Sequence, residues 1–128
     1  MYDLRLVMKV LIIDDDKFIR TVYQSEFNQE NIEAEVAENG EAGLEKAKSG
    51  KPDLILLDMM LSEKDGFEVL GELKSDTSLK SIPVIVFSSL NQQSDIDEAM
   101  KLGAVKYLPK DAYSPKQIVE EAKKILVK

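Results

Sequence analysis

Short blocks of apolar and polar residues along the chain predict five strands. Continuous apolar runs are typical of strands buried on both faces, as in the centre of a parallel sheet. Two such runs are Leu54–Leu57 and Ile82–Phe87, and Met8–Ile13 is a third apolar strand candidate with Lys9 as its one charged residue. Ile32–Ala37 instead alternates apolar and acidic residues, which favours a half-exposed edge strand. Ala104–Leu108 is a short fifth strand followed by proline, which cannot donate to a ladder and so indicates an edge or a strand end.

The segments between these strands carry apolar residues at the three- to four-residue spacing of helices. The predicted helices are Lys17–Asn28, Glu41–Ser49, Phe67–Lys74, Ser94–Leu102 and a last helix opened by the capping box Ser114–Gln117. In the first helix the residues predicted to face the core are Phe18, Ile19, Val22, Tyr23 and Phe27. In the fourth helix they are Ile96, Ala99 and Met100.

Strict alternation of strands and helices predicts an α/β fold with a doubly wound, five-stranded parallel sheet. The strand order 2-1-3-4-5 places the alternating second strand and the proline-terminated fifth strand at the edges. We expect a single domain over residues 1–128, in which residues 1–7 form an N-terminal extension or the start of the first strand. No apolar run approaches the roughly 20 residues of a bilayer span, so membrane insertion is not expected.

This strand order brings chemically active side chains to the carboxyl-terminal edge of the sheet. Asp14 and Asp15 follow the first strand, Asp58 the third, Ser88 the fourth and Lys110 the fifth. Carboxylates gathered at one place repel each other unless a cation joins them. Their hard oxygen atoms suit Mg²⁺ or Mn²⁺, which bind through carboxylates and phosphate oxygens. The pattern therefore predicts a site that handles phosphate with a divalent ion.

Each of these residues also has an ordinary structural interpretation. Asp58 could be a helix N-cap or a turn residue, and Asp14–Asp16 could be the polar start of the next helix. Ser88 could open a loop, and Lys110 could be a solvated surface lysine. The recurrence of carboxylate, hydroxyl and amine at the ends of four strands favours the functional interpretation.

Composition narrows the chemistry further. The chain has no cysteine and no histidine, which excludes thiol catalysis, thiolate or imidazole metal ligands and Ser-His triads. Its net charge of −7 argues against direct binding of nucleic acid, because phosphate backbones are bound by basic surfaces.

The sequence resembles the receiver domain of two-component response regulators, which has a flavodoxin-like (βα)5 fold, over about Met8–Lys128. The resemblance is carried by five motifs in order: Leu11–Asp15, Asp53–Met60, Asp65–Gly66, Pro83–Ser88 and Gly103–Lys110. It implies that Asp58 is the phosphoacceptor and that Asp14 and Asp15 organise Mg²⁺. Asp15 and Asp58 would be direct ligands, Asp14 would act mostly through water, and the backbone carbonyl of Met60 would be a third protein ligand.

The resemblance also implies a mechanism of switching. Ser88 would hydrogen-bond a phosphoryl oxygen, Lys110 would pair with the phosphate, and Tyr107 would turn inward on activation. The protein would take its phosphoryl group from a sensor histidine kinase or phosphotransfer protein. It would then bind a downstream protein effector through the face formed by the fourth helix, fifth strand and fifth helix. It would be cytoplasmic, a monomer or a phosphorylation-dependent dimer, with self-phosphorylation and slow self-dephosphorylation as its only activities.

The chain departs from the family pattern at several positions. Ser62 replaces a usual proline, and Asp111 replaces the proline that often follows the lysine. Because a cis bond before a non-proline residue costs roughly 3–4 kcal/mol, a trans Lys110–Asp111 bond is predicted. Asp111 is also an alternative partner for Lys110. Met60 and Leu90 stand at positions that tune dephosphorylation in the family, and neither can orient an attacking water.

Three other functions fit parts of the pattern less well. An aspartate-nucleophile phosphatase needs a cap or a general acid two residues after the nucleophile, where this chain has Met60. A flavin-binding module has a phosphate loop rich in serine, threonine and glycine, whereas the first loop here is Asp14–Asp16. A scaffold that is never phosphorylated would not need the intact acidic set.

Overall fold

The computed structural model describes residues 7–126, which form a parallel sheet with helices on both sides. The strands of this part of the chain are β1 (Lys9–Ile13), β2 (Glu33–Ala37), β3 (Leu54–Leu57), β4 (Val84–Ser88) and β5 (Lys106–Pro109). Its helices are α1 (Lys17–Gln29), α2 (Gly40–Gly50), α3 (Gly66–Ser75), α4 (Gln93–Leu102) and α5 (Pro115–Leu126). The predicted alternation of strands and helices is confirmed.

The strand order is β2-β1-β3-β4-β5, as predicted, and every pair of neighbours is parallel. The acidic strand β2 and the proline-containing strand β5 are the edges. In the register, Ile13 lies opposite both Ala37 and Leu57. The residues that follow β1 and β3 therefore leave the sheet at the same level and side by side.

The sheet separates two hydrophobic layers. Alternate residues of each central strand point to opposite faces, so Ile55 and Leu57 pack in the layer with α2 and α3, whereas Leu54 and Leu56 pack in the layer with α1 and α5. All four of these side chains are fully buried. Burial on both faces explains why the β3 sequence is continuously apolar. It also holds β3 in register with β1 and β4, so the position where β3 ends is fixed.

Polar side chains cap the helices where the sequence turns from strand to helix. Asp16 accepts hydrogen bonds from the backbone N–H groups of Phe18 and Ile19 at the start of α1. The predicted capping box at α5 is confirmed, since Ser114 and Gln117 each accept a hydrogen bond from the other's backbone N–H, at 3.2 and 2.8 Å.

Two predictions of buried helix positions are wrong. Phe18 is 73% exposed and Met100 is 43% exposed. Successive helical residues turn by 100°, so Phe18 lies about 140° around the axis from the buried Tyr23, and Met100 lies about 100° from the buried Ala99. In both helices the apolar stripe in the sequence is wider than the face that meets the sheet.

Within residues 7–126 every peptide bond is trans, which confirms the prediction for Lys110–Asp111. No helix in this part of the chain is long and apolar enough to cross a membrane. The segment 1–7 is expected to form an N-terminal extension or the start of the first strand; its residues 1–6 lie outside the described residues, so this expectation stays a prediction.

The N-cap of α1 gives a test of local stability. Replacing Asp16 by alanine removes the acceptor of two backbone N–H groups and is expected to lower the free energy of unfolding by about 1 kcal/mol. Asp16→Asn keeps a capping oxygen and should cost much less, although it removes the same charge. Urea unfolding followed by circular dichroism measures both, and equal losses would contradict the capping role.

Candidate functional site

Three aspartates converge at the carboxyl-terminal edge of the sheet. One carboxylate oxygen from each of Asp14, Asp15 and Asp58 lies within 4.8 Å of the other two. Asp14 is fully buried and Asp58 is 4% exposed, while Asp15 faces solvent. The paired register of β1 and β3 causes this convergence, because Asp14 and Asp58 each follow the last residue of their strand.

The three acidic residues after β1 have different functions in the fold. The Oδ1 atom of Asp14 accepts a hydrogen bond from the backbone N–H of Asp16 at 2.8 Å, and Asp16 in turn caps α1. Thus the helix-start interpretation holds for Asp16, whereas Asp14 and Asp15 belong to the acidic cluster. Arg20, which the sequence reasoning missed, donates from Nη1 to the backbone carbonyl of Asp14 at 2.9 Å and holds the turn in place.

Lys110 joins two of the aspartates. Its Nζ atom lies 2.8 Å from Asp14 Oδ2 and 3.1 Å from Asp58 Oδ2. The backbone N–H of Lys110 donates to the carbonyl of Ser88 at 2.9 Å, which fixes where the side chain starts. The alternative partner Asp111 is exposed, and the Lys110 ammonium group points instead into the cluster, where two carboxylates attract it.

Burial and attraction between charges both act on this cluster. Burial raises the pKa of Asp14, and the hydrogen bond from Lys110 opposes that shift. Burial would lower the pKa of Lys110, but its contacts with Asp14 and Asp58 outweigh burial and raise it. Lys110 therefore remains an ammonium ion that offsets the repulsion between the two buried carboxyl groups.

The loop between β3 and α3 is fixed tightly around Asp58. The Oδ1 atom of Asp58 accepts a hydrogen bond from the backbone N–H of Met60 at 3.0 Å, and the Met60 side chain is 51% exposed. Gly66 donates from its N–H to the carbonyl of Met59 at 3.0 Å. Lys64 anchors the loop to both adjoining helices through ion pairs with glutamates, namely Glu41 of α2 and Glu68 and Glu72 of α3.

Ser88 and Tyr107 are connected through the backbone of one residue. Ser88 is fully buried at the end of β4, and its Oγ accepts a hydrogen bond from the N–H of Leu90 at 3.2 Å. The carbonyl of Leu90 accepts a hydrogen bond from the Tyr107 hydroxyl at 2.7 Å. Tyr107 is half-buried, and burial raises the pKa of its phenol. Two hydrogen bonds through the main chain of Leu90 therefore link the Ser88 hydroxyl to Tyr107 on β5.

The donor set fits a hard divalent cation. Mg²⁺ and Mn²⁺ prefer oxygen ligands and take only a few carboxylates. The acidic cluster offers three carboxylate groups, of which the exposed Asp15 leaves the site open to solvent on one side. The cluster contains no nitrogen or sulfur ligand of the kind that softer metals select, because the chain has no histidine or cysteine.

A parallel sheet in this order, with an acidic cluster at its carboxyl-terminal edge, defines the CheY-like receiver fold. Among solved structures, the receiver domain of Francisella response regulator 1452 matches with a TM-score of 0.85 and 28% sequence identity, covering 93% of this chain and 96% of that one. The model of the response regulator receiver domain family matches residues 10–123. The chain therefore belongs to that family, whose members act in two-component systems as phosphorylation-dependent switches.

Curated relatives differ in length. Chemotaxis protein CheY of Thermotoga maritima is 34% identical over 119 residues, which are 91% of this chain and 96% of that protein. The alkaline phosphatase synthesis transcriptional regulatory protein PhoP of Bacillus subtilis is 33% identical over 118 residues, 92% of this chain but 48% of PhoP. The chain thus spans about half the length of the first transcriptional regulators that it matches and nearly all of a CheY.

The close approach of α3 to the Asp58 loop gives a second test. A Cβ atom on Gly66 would lie 2.4 Å from Met59 Cα and 2.5 Å from the Asp58 carbonyl oxygen. Because backbone atoms cannot yield as a flexible side chain does, Gly66→Ala is expected to lower the free energy of unfolding by about 1–3 kcal/mol.

Gly71→Ala is the matched control on the same helix, since a Cβ there meets nothing within 4 Å. It is expected to stabilise the protein by about 0.5–1 kcal/mol through helix propensity. Urea titrations of the two variants beside the wild type provide the comparison. Equal stability of the Gly66→Ala variant and the wild type would show that the loop moves freely.

Proposed function

We propose that this protein is a signalling switch in which Asp58 accepts a phosphoryl group from a sensor histidine kinase or phosphotransfer protein. The observation that carries the proposal is the convergence of Asp14, Asp15 and Asp58 within 4.8 Å, with the Lys110 ammonium on two of them. Family membership supports the general activity. The proposal includes a cytoplasmic location, as the family resemblance implies.

Asp14, Asp15, Asp58 and the backbone carbonyl of Met60 are the residues that would hold Mg²⁺ or Mn²⁺. By the resemblance, Asp15 and Asp58 would be direct ligands and Asp14 would act mostly through water. When bound, the divalent ion neutralises negative charge on the carboxylates and on the incoming phosphoryl oxygens. The side chains and backbone of the protein supply the nucleophile, the remaining positive charge and the orientation of the carboxyl group.

In the proposed transfer, a carboxylate oxygen of Asp58 attacks the phosphorus of a phosphohistidine. A P–O bond forms, the P–N bond breaks, and its electron pair returns to the imidazole of the donor. A carboxylate is a weak nucleophile toward a negatively charged phosphoryl group, so positive charge next to Asp58 is needed. Lys110 supplies that charge from 3.1 Å, and the Met60 N–H orients the carboxyl group through Oδ1.

Phosphorylation adds about −1.5 to −2 charges at neutral pH and new acceptor oxygens. We expect the Ser88 hydroxyl to turn toward them and donate, which changes its contact with the Leu90 N–H. Because the Leu90 carbonyl holds the Tyr107 hydroxyl, the same change reaches β5 and lets Tyr107 turn inward. The surface of α4, β5 and α5 then differs between the two states and binds a downstream protein effector, with the receiver as a monomer or a phosphorylation-dependent dimer.

An aspartate-nucleophile phosphatase is the nearest alternative. Two residues after Asp58, Met60 exposes a thioether side chain that cannot donate or accept a proton in acid–base catalysis. We therefore propose that the protein phosphorylates and slowly dephosphorylates itself and turns over no other substrate. With a net charge of −7, direct binding of nucleic acid is not part of the proposal.

Phosphoryl uptake tests the acceptor. Incubation of the wild type with acetyl phosphate and Mg²⁺ is expected to give a single phosphoryl adduct in intact-mass spectrometry, while Asp58→Asn gives none. Asp53→Asn, at the opposite end of β3, makes the same charge change outside the cluster and should keep the adduct. Chelation of the ion should abolish uptake by the wild type. An adduct on Asp58→Asn, or continuous release of phosphate at enzyme-like rates, would refute the proposal.

The lifetime of the phosphorylated state gives a further test. Because Met60 and Leu90 cannot orient a water molecule, we expect the aspartyl phosphate to persist for hours after the donor is removed. Met60→Gln supplies a side chain that positions water and should shorten the half-life by about tenfold or more, whereas Met60→Leu should not. Loss of the adduct is followed by mass spectrometry, and a wild-type half-life of seconds would contradict this prediction.

A further inference from the structure

The ammonium group of Lys110 has a third neighbour besides the two aspartates. Its Nζ atom lies 4.7 Å from the centroid of the Phe87 ring, over the ring face. An ammonium ion at this distance is attracted by the negative face of an aromatic ring. The contact is sheltered, because Phe87 is fully buried and the Lys110 side chain is only 20% exposed.

The ring itself is held rigidly. The ring of Tyr23 on α1 packs against the ring of Phe87, with the ring centroids 5.1 Å apart and an interplanar angle of 77°. This edge-to-face arrangement is one of the two geometries that aromatic pairs favour. Phe87 also belongs to the hydrophobic layer between the sheet and helices α1 and α5. The ring therefore gives Lys110 a fixed surface rather than a mobile contact.

The three contacts of Lys110 differ in what the proposed chemistry does to them. Phosphorylation converts the Asp58 carboxylate into an acyl phosphate, and a bound divalent ion would compete with Lys110 for the Asp14 carboxylate. The Phe87 ring is uncharged and takes part in neither event. It is therefore the contact of the ammonium group whose chemical nature neither event alters.

We propose that Phe87 is a positioning residue that holds the Lys110 ammonium at the edge of the sheet, where the phosphoryl group arrives. The inference rests on the proposed function of Asp58 as phosphoacceptor. Phe87 and Ser88 are consecutive on β4 and point to opposite sides of the sheet. The strand thus supports the lysine from one side and supplies the hydroxyl group from the other.

Fluorination of the Phe87 ring separates this role from simple packing. Phenylalanine with one, two or three ring fluorines has nearly the same size, but its face attracts cations progressively less. We expect the initial rate of phosphoryl uptake from acetyl phosphate and Mg²⁺ to fall stepwise along the series. The expected total decrease at three fluorines is about 2-fold to 30-fold.

Phe27 provides the matched control. It is fully buried in the same hydrophobic layer, and within residues 7–126 no cation–ring contact involves it. The same fluorine series at Phe27 should leave the rate of uptake unchanged. An unchanged rate in the Phe87 series, or an equal decrease in the Phe27 series, would overturn the positioning role.

Nuclear magnetic resonance tests the contact without any phosphorylation. The ε-methylene protons of Lys110 should show an upfield ring-current shift in the wild type that disappears in Phe87→Leu. Absence of that shift in the wild type overturns the inference even when uptake is normal. A clear shift together with no uptake by the wild type would instead refute Asp58 as phosphoacceptor, and with it any part of Phe87 in transfer.

Discussion

The ion pair of Lys110 with Asp14 and Asp58 is the contact on which the arrangement of the site depends. Two buried carboxyl groups on adjacent strands repel each other, and burial alone makes their charged forms costly. The ammonium group, 2.8 Å from one and 3.1 Å from the other, allows both to face the same point. Removing Lys110 would leave two buried carboxyl groups without a compensating charge, so the three side chains act as a unit contributed by three different strand ends.

The sequence pattern was sufficient for the sheet and for the acidic cluster, and the physical reason is visible in β3. Four apolar residues buried on both faces leave no other place for Leu54–Leu57 than the centre of the sheet, so Asp58 must emerge at its edge. The pattern was less informative for helices. Phe18 and Met100 continue apolar stripes around the helix axis, but the sheet covers only part of each stripe.

Side-chain contacts that depend on the tertiary structure could not be found in the same way. The different roles of Asp14, Asp15 and Asp16 follow from the turn geometry. Arg20 and Phe87 contact Asp14 and Lys110, and no sequence pattern joins either pair. Phe87 looked like one more core residue of an apolar strand, which it also is. Its position directly before Ser88, at the end of β4, is the one sequence feature that pointed to the site.

One connection between Ser88 and Tyr107 passes through main-chain atoms of Leu90, its N–H on one side and its carbonyl on the other. Any residue except proline offers the same two groups, so the connection does not depend on which side chain stands there. In the proposed switch, that side chain is free to adjust how long the modification lasts. In that proposal, a substitution of Leu90 would change the lifetime of the phosphorylated state and keep the main-chain hydrogen bonds toward Ser88 and Tyr107.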